Sequence, residues 1–379
     1  MRATRAIIHL KNLAANIGAL RAYLGGGTRP LICLPVKADA YGHGAVEIAK
    51  TALEAGVAAL AVATVDEGAE LREAGINAPI LLFSPALPSE LEAAASLSIS
   101  PFVSCEDQIK NFARAAKNAA KNKTAKVFLK VDTGMNRSGC PPHSAAALAR
   151  AVKENGLELS GCVTHLAAAD STGKNEIEWT ESQLNVFKNA VLEIKNAGIT
   201  HGILSAANSG GVFLHSNSWL DMVRPGIALY GYAPPQNGGK TFLAKPVMEL
   251  VTKLVLIKKI GAGETVSYGR AWTAAEDTFI GILPIGYADG LPRILSTAPQ
   301  GNFFVCIGGE LYPLAGRICM DMCMVNLGST LKTSLYDDAV IFGQSPPAQD
   351  AASLAVIAGT IPYEICCGIS RRVPRLFLR

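Results

Sequence analysis

No stretch of this sequence reaches the roughly 18 uninterrupted apolar residues of a membrane span. The opening apolar run at Ile7 and Ile8 is too short for a secretory leader, so a cytoplasmic protein is expected. Charge is scarce, 17% of residues against 49% hydrophobic, which excludes a disordered chain. The net charge is only +4 and no basic stripe interleaved with aromatics occurs, so nucleic acid is not an expected partner. There is no Walker loop, and no G-x-G-x-x-G follows the first apolar strand-like run. Cysteine is present at nine positions, an odd number, mostly inside apolar runs, which reads as buried reduced thiols. Cys319 and Cys323 have no second Cys/His pair near them, so no metal is expected.

What is present is alternation. Short apolar runs at 31–37, 58–64, 79–84, 99–104, 126–132, 159–165, 202–208 and 222–228 have strand length, and several are apolar throughout, as strands covered on both faces must be. Helical spacing fills the gaps. Val46, Ala49 and Leu53 precede a capping Gly56, and Leu184, Phe187, Val191 and Ile194 precede Gly198. Eight such repeats in about 240 residues predict a (β/α)8 TIM-type barrel over 1–240. A doubly wound sheet is the competing architecture. Pro234, Pro235, Gly238 and Gly239 read as a linker. Beyond it, runs at 248–257, 278–283, 303–307 and 339–342 and a short helix at 353–358 predict a second, mostly β C-terminal domain over 241–379.

In such a barrel the chemistry lies at the C-terminal ends of the strands. Polar groups collect there: Lys37, Asp39, Tyr41 and His43 after the first run, Lys130, Asp132 and Arg137 at the fifth, His165 at the sixth, Asn208 and Ser209 at the seventh, Arg224 and Gly226 at the eighth. A lysine closing an apolar run is partly desolvated, which lowers its pKa and frees an amine nucleophile; a lysine reaching out to solvent is the alternative. The glycine-rich turns at 209–211 and 225–227 let backbone N–H groups approach an oxyanion. Together they suit a phosphorylated aldehyde.

The segments Pro35–Gly44 (PVKADAYGHG), Lys130–Arg137 (KVDTGMNR), Thr164–His165, Ala207–Ser209, Val223–Ile227 (VRPGI), Val266–Gly269 (VSYG), Gly286–Gly290 (GYADG) and Gly316–Asp321 (GRICMD) resemble, in that order, those of the bacterial alanine racemases. The likeness spans nearly the whole chain. It implies pyridoxal 5'-phosphate as cofactor and a homodimer whose sites are shared between subunits. Lys37 would join the cofactor and act as base on the D face of the amino acid, with Tyr268 the opposite base. His165, Arg224 and Arg293 would surround that tyrosine. Arg224 would face the pyridine nitrogen and bond to His165. Tyr41, Asn208, Ser209, Gly226, Ile227 and Tyr363 would hold the cofactor, mainly its phosphate. Arg137 and the Met320 backbone would bind the substrate carboxylate, and Tyr287 would narrow the pocket. Lys130, open to carbamylation, and Asp321 would support them.

Asn136, before Arg137, replaces a commoner glycine, and asparagine tolerates positive φ. Other readings are a broader amino-acid racemase, a decarboxylase of the same architecture and a cofactor-binding protein without turnover. Tyr287 and Met320 favour a small side chain, a basic residue at 224 opposes the decarboxylase, and the second domain opposes the last.

Overall fold

A computed structural model describes residues 2–27, 30–119, 124–234, 236, 242–297 and 302–379. Pro235, Gly238 and Gly239 of the expected linker lie outside the described residues, as does the 240/241 junction. The first strand, β1 (Arg5–His9), precedes a run of eight: β2 (Leu31–Pro35), β3 (Ala59–Val62), β4 (Ile80–Leu82), β5 (Ile99–Val103), β6 (Lys126–Lys130), β7 (Glu158–Val163), β8 (Ile203–Ser205) and β9 (Met222–Val223). These eight form one parallel sheet in the order β8-β7-β6-β5-β4-β3-β2-β9. The remaining seam is drawn together by Asp221 N donating to Leu204 O (3.1 Å) and Arg224 N to Ala207 O (2.9 Å). This is the expected (β/α)8 barrel, nearly closed.

Alternation along the strands builds two cores. Cys33, Ala59, Ala61, Leu81, Phe102, Phe128, Val163 and Met222 fill the interior, with Phe83, Phe102 and Phe128 in a chain of ring contacts. Ile32, Leu34, Leu60, Val62, Ile80 and Leu82 belong to the larger core that also takes in the helices. Both faces are therefore dry, which is why the runs read as continuously apolar.

The C-terminal part is mostly β. A six-stranded sheet contains β10 (Met248–Lys253) and the strands Phe304–Ile307, Glu310–Pro313, Asp338–Phe342 and Arg375–Leu378, with β1 between β10 and Arg375–Leu378. The N-terminal strand thus lies in a sheet made otherwise of C-terminal strands. A three-stranded sheet holds Leu256–Ile260, Thr278–Leu283 and Cys323–Gly328. The run at 248–257, expected as one strand, is two. At the break the backbone changes partners: Leu254 N bonds Asp337 O and Val255 N bonds Ile282 O, each at 3.0 Å. The expected short helix runs Ala351–Ala358, its N-terminus capped by Asp350 Oδ1 accepting from Ser353 N (2.8 Å). Every cysteine is free, and six of them are buried. No helix among the described residues is long and apolar enough to cross a membrane. Nor does any group of three or more His, Cys, Asp or Glu among them stand ready for a metal.

Candidate active site

The interior alternation that packs the barrel also aims its functional groups. One face of a strand takes residues i, i+2 and i+4. Above Phe128, Val163 and Met222 of the inner core therefore come Lys130, His165 and Arg224. A cavity of about 1010 Å³ opens at this end, lined among others by Lys37, Tyr41, Lys130, Arg137, His165, Asn208, Ser209, Arg224, Gly226, Ile227 and Tyr363. These barrel residues meet there with Tyr363 from the C-terminal part, whereas Asp39, His43 and Asp132 do not line the cavity.

Lys37 follows β2 and opens an unusual turn. Ala38, Asp39, Ala40 and Tyr41 all have φ between 52 and 54° and ψ between 39 and 53°, one turn of left-handed helix. That conformation costs an L-residue roughly 1–2 kcal/mol, so it stands only where its surroundings hold it. Glu67 Oε1 accepts from Ala38 N (2.7 Å), and Asp39 Oδ1 accepts from Ala45 N (2.8 Å). His43 Nδ1, fully buried, donates to Ala40 O and Tyr41 O (3.0 and 2.9 Å). Glu67 was not singled out from the sequence, although it is the fourth residue of a Thr64-x-x-Glu67 capping box and that signal was legible.

The cations of the site crowd one another. Burial lowers the Lys37 pKa, Arg137 lowers it further, and Glu67 and Cys367 oppose them. Lys130, 8% exposed, is pushed down to about 8 by burial, then by Arg137 and Arg224, and its Nζ donates to Ser138 Oγ (2.6 Å). His165 falls to about 3, chiefly through burial and then through Arg224 and Arg137. Arg224, 4% exposed, is held by Ser205 Oγ, by Thr164 O (2.5 Å) and by Ala206 O (3.2 Å). Its hydrogen bonds run to these oxygens and not to His165. A desolvated guanidinium needs several acceptors, and strand-end carbonyls supply them.

Opposite the cations lies a cluster of hydroxyls. Ser209 Oγ accepts from Gly226 N (3.0 Å), and the Tyr363 hydroxyl bonds Ser209. A Cβ on Gly226 would stand 2.7 Å from Tyr41 Oη and would have to displace that hydroxyl. Asn208 caps the short helix after β8, accepting from Gly211 N (3.0 Å), and also donates to Leu166 O (3.0 Å). Asp132 Oδ1 accepts from Gly134 N and Asn136 N (3.0 and 3.1 Å), shaping the loop that carries Arg137; Asn136 sits at φ 56°.

Tyr268, Tyr287, Arg293, Met320 and Asp321 do not line this cavity. Tyr268 is 72% exposed, Met320 52% and Tyr287 43%. Yet the segments that carry Tyr268, Tyr287 and Met320 are bonded together on the C-terminal part. Ser267 Oγ donates to Arg317 O (2.8 Å), Tyr287 N donates to Cys319 O (3.0 Å), and Ala288 N donates to Met320 O (3.0 Å). The Arg317 guanidinium lies near Gly269 of the Tyr268 turn. Asp321 pairs with Arg372 (2.8 Å) and Arg293 is exposed.

Comparison with known proteins agrees with this arrangement. A model of the alanine racemase N-terminal domain matches residues 8–234, and one of the alanine racemase C-terminal domain matches 247–377. The alanine racemase of Treponema denticola is 49% identical, with 100% of this chain and 99% of that protein aligned. That of Treponema pallidum is 44% identical with both chains fully covered. The solved alanine racemase of Clostridium difficile superposes with a TM-score of 0.91 at 36% identity, covering 100% of this chain and 96% of that one. A Pseudomonas aeruginosa structure described as a biosynthetic alanine racemase gives 0.83 at 30%, with both chains fully covered. Sequence, architecture and the strand-end site thus converge: the chain belongs to the alanine racemase family and is an isomerase of that class.

Proposed function

We propose that the chain interconverts L- and D-alanine with pyridoxal 5'-phosphate at the barrel mouth, using Lys37 and Tyr268 as opposed bases in a homodimer, and so supplies D-alanine for peptidoglycan. The observation that carries this reading is the cavity itself. A lysine with a lowered pKa shares it with the Tyr41, Ser209 and Tyr363 hydroxyls around Gly226, where a Cβ would press on the Tyr41 hydroxyl. These residues fit a phosphorylated aldehyde. Lys37 would hold the aldehyde end, while Tyr41, Ser209, Tyr363 and the Gly226–Ile227 backbone would bind the phosphate, with Asn208 fixing their turn.

When bound, the cofactor supplies an electron-accepting ring that acidifies the α-proton of an attached amino acid. Everything else falls to this chain. Arg224 would face the ring nitrogen. A guanidinium only donates and keeps its own proton, and Arg224 is locked by three oxygens, so it would leave that nitrogen largely unprotonated. Weak electron withdrawal favours prompt return of a proton to Cα over side reactions. Lys37 takes or returns the proton on the D face, and Tyr268 does so on the L face. Arg137 forks onto the substrate carboxylate, the Met320 N–H adds a donor, and Tyr287 limits the side chain to a methyl. Burial and the neighbouring arginines lower the Lys130 pKa to about 8, and its neutral amine can add carbon dioxide with release of a proton, giving a carbamate that would face Arg137. Carbon-13 bicarbonate labelling reads that modification directly.

Exposure supports dimer assembly. Tyr268, Tyr287 and Met320 stand in solvent on their own chain, so in this reading they complete the partner's barrel mouth, with Arg293 and Asp321 supporting them from the same face. The experiment is to titrate the purified chain with pyridoxal phosphate, following visible absorbance, and then to run polarimetry on L-alanine. Coloured protein and loss of optical rotation are expected. Coloured protein that leaves rotation unchanged would overturn the racemase reading, and protein that never colours would overturn the cofactor.

A further inference from the structure

The left-handed turn that carries Lys37 and Tyr41 is gripped from a distant part of the chain. Arg375 opens the strand Arg375–Leu378, whose neighbour in the sheet is β1, with Ala6 opposite Arg375. Its Nε donates to Gly42 O (3.0 Å), the carbonyl that ends the turn. Its other nitrogens donate to Ser370 O and Val373 O (both from Nη1, 2.7 Å) and to Ile369 O (from Nη2, 2.7 Å). One planar fork therefore spends four hydrogen bonds on four carbonyls, three of them in the 369–373 loop and one in the turn. Gly42 itself is at φ 80°, and a Cβ there would collide with the Cys366 carbonyl. The turn thus lies flush against the C-terminal helix Pro362–Cys367 as well.

The same loop meets the other half of the site. Ser370 N donates to Asp289 O (3.0 Å), and a Cβ on Gly290 would run into the Gly368 carbonyl. Asp289 is fully buried, pairs with Arg2 (2.6 Å) and Arg372 (3.3 Å), and accepts from Gly286 N (3.1 Å) at the base of the Tyr287 turn. Arg375 thus stands between the Lys37 turn and the loop that presents Tyr287.

We propose that Arg375 is a positioning residue, which holds Lys37 and Tyr41 in register with the cavity by fixing the end of their left-handed turn to the 369–373 loop. Four consecutive non-glycine residues at positive φ relax toward ordinary conformations once an end is released. Lysine at 375 keeps the charge and much of the stem but cannot present four directed N–H groups in one plane. The proposal rests on the cofactor reading only where cofactor uptake is measured; the geometry of the turn is separate from it.

The test uses full-length protein with Arg375→Lys and Arg375→Gln, each compared with the parent. Hydrogen–deuterium exchange without cofactor should rise selectively in peptides covering 37–44 and stay near parental in those covering 5–9 and 375–378. Affinity for pyridoxal phosphate, read by visible absorbance, should fall about tenfold or more, the scale of a lost hydrogen bond in a charged arrangement. The lysine variant keeps most of the packing and decides the matter if the glutamine variant does not fold. Parental exchange over 37–44 in a folded variant would overturn the proposal. So would exchange that rises equally through the sheet strands, since that is plain loss of packing. If the parent itself takes up no pyridoxal phosphate, the cofactor reading fails and the exchange comparison alone decides the role of Arg375.

Discussion

The barrel mouth and the exposed face of the C-terminal part differ in how much water folding removes from them. Arg224 and Lys130 are 4% and 8% exposed; Arg224 is held by Ser205, Thr164 and Ala206 oxygens, and Lys130 bonds Ser138 with its pKa lowered. Tyr268 and Met320 are 72% and 52% exposed. A desolvated cation must be compensated within its own chain, because an unpaired buried charge is far too costly. An exposed tyrosine or methionine has no such requirement and keeps its hydrophobic gain, about 25 cal/mol per Å², for whatever surface it meets. The barrel mouth is therefore finished when a single chain folds. The face that carries Tyr268 and Met320 is a presented surface.

That contrast can be broken at several points. Lys37→Ala should have the largest effect, with racemisation falling to background and no visible absorbance developing on addition of pyridoxal phosphate. Retained colour would move the covalent attachment elsewhere. Next comes Tyr268→Phe, which should slow proton removal from L-alanine by roughly 10²–10⁴, the span of one general base. Its thermal midpoint should barely move, since the change removes one hydroxyl and keeps the ring. Unchanged rates in both directions would remove Tyr268 from the chemistry.

Mixing the two inactive variants sharpens the contrast further. In a hybrid dimer of Lys37→Ala with Tyr268→Phe, one site would hold both defects and the other neither. A randomised equal mixture should therefore recover about one quarter of parental activity, half the dimers each with one of two sites intact. Recovery of nothing would mean that the two residues act within one chain. The smallest effect is acid lability confined to the buried half. Burial pushes His43 down to about 4, and burial followed by Arg224 pushes His165 down to about 3. Unfolded histidine binds its proton near 6.5, so below that pH the unfolded chain holds more protons than the folded one. Stability of the cofactor-free protein should fall by a few kcal/mol as pH drops from about 6.5 toward 4. Denaturant unfolding across that range checks it, and His165→Asn should flatten the slope.

Much of the barrel was legible because strands buried on both faces cannot avoid an apolar signature. The strand-end rule then pointed to Lys130, His165 and Arg224, since a period of two leaves no freedom over which residue rises above the inner core. Arg375 was not legible: its four acceptors are carbonyls, and carbonyls leave no trace in side-chain identity. Nor was the membership of β1 in the C-terminal sheet, where strands 240 and more residues apart pair by hydrogen bonds that every sequence possesses. The split at Leu254 had the same cause, a change of backbone partner inside an unbroken apolar run.

By itself, the sequence determined which residue types stand at the barrel mouth and that they suit amine and phosphate chemistry, because hydrophobic periodicity and side-chain functional groups are local properties. Only the tertiary structure decided that Ala38 to Tyr41 coil left-handed, that Arg224 is satisfied by Ser205, Thr164 and Ala206, and that Tyr268 faces outward. Those outcomes depend on backbone hydrogen bonds and packing between distant segments, and they exist only when the whole chain has closed on itself.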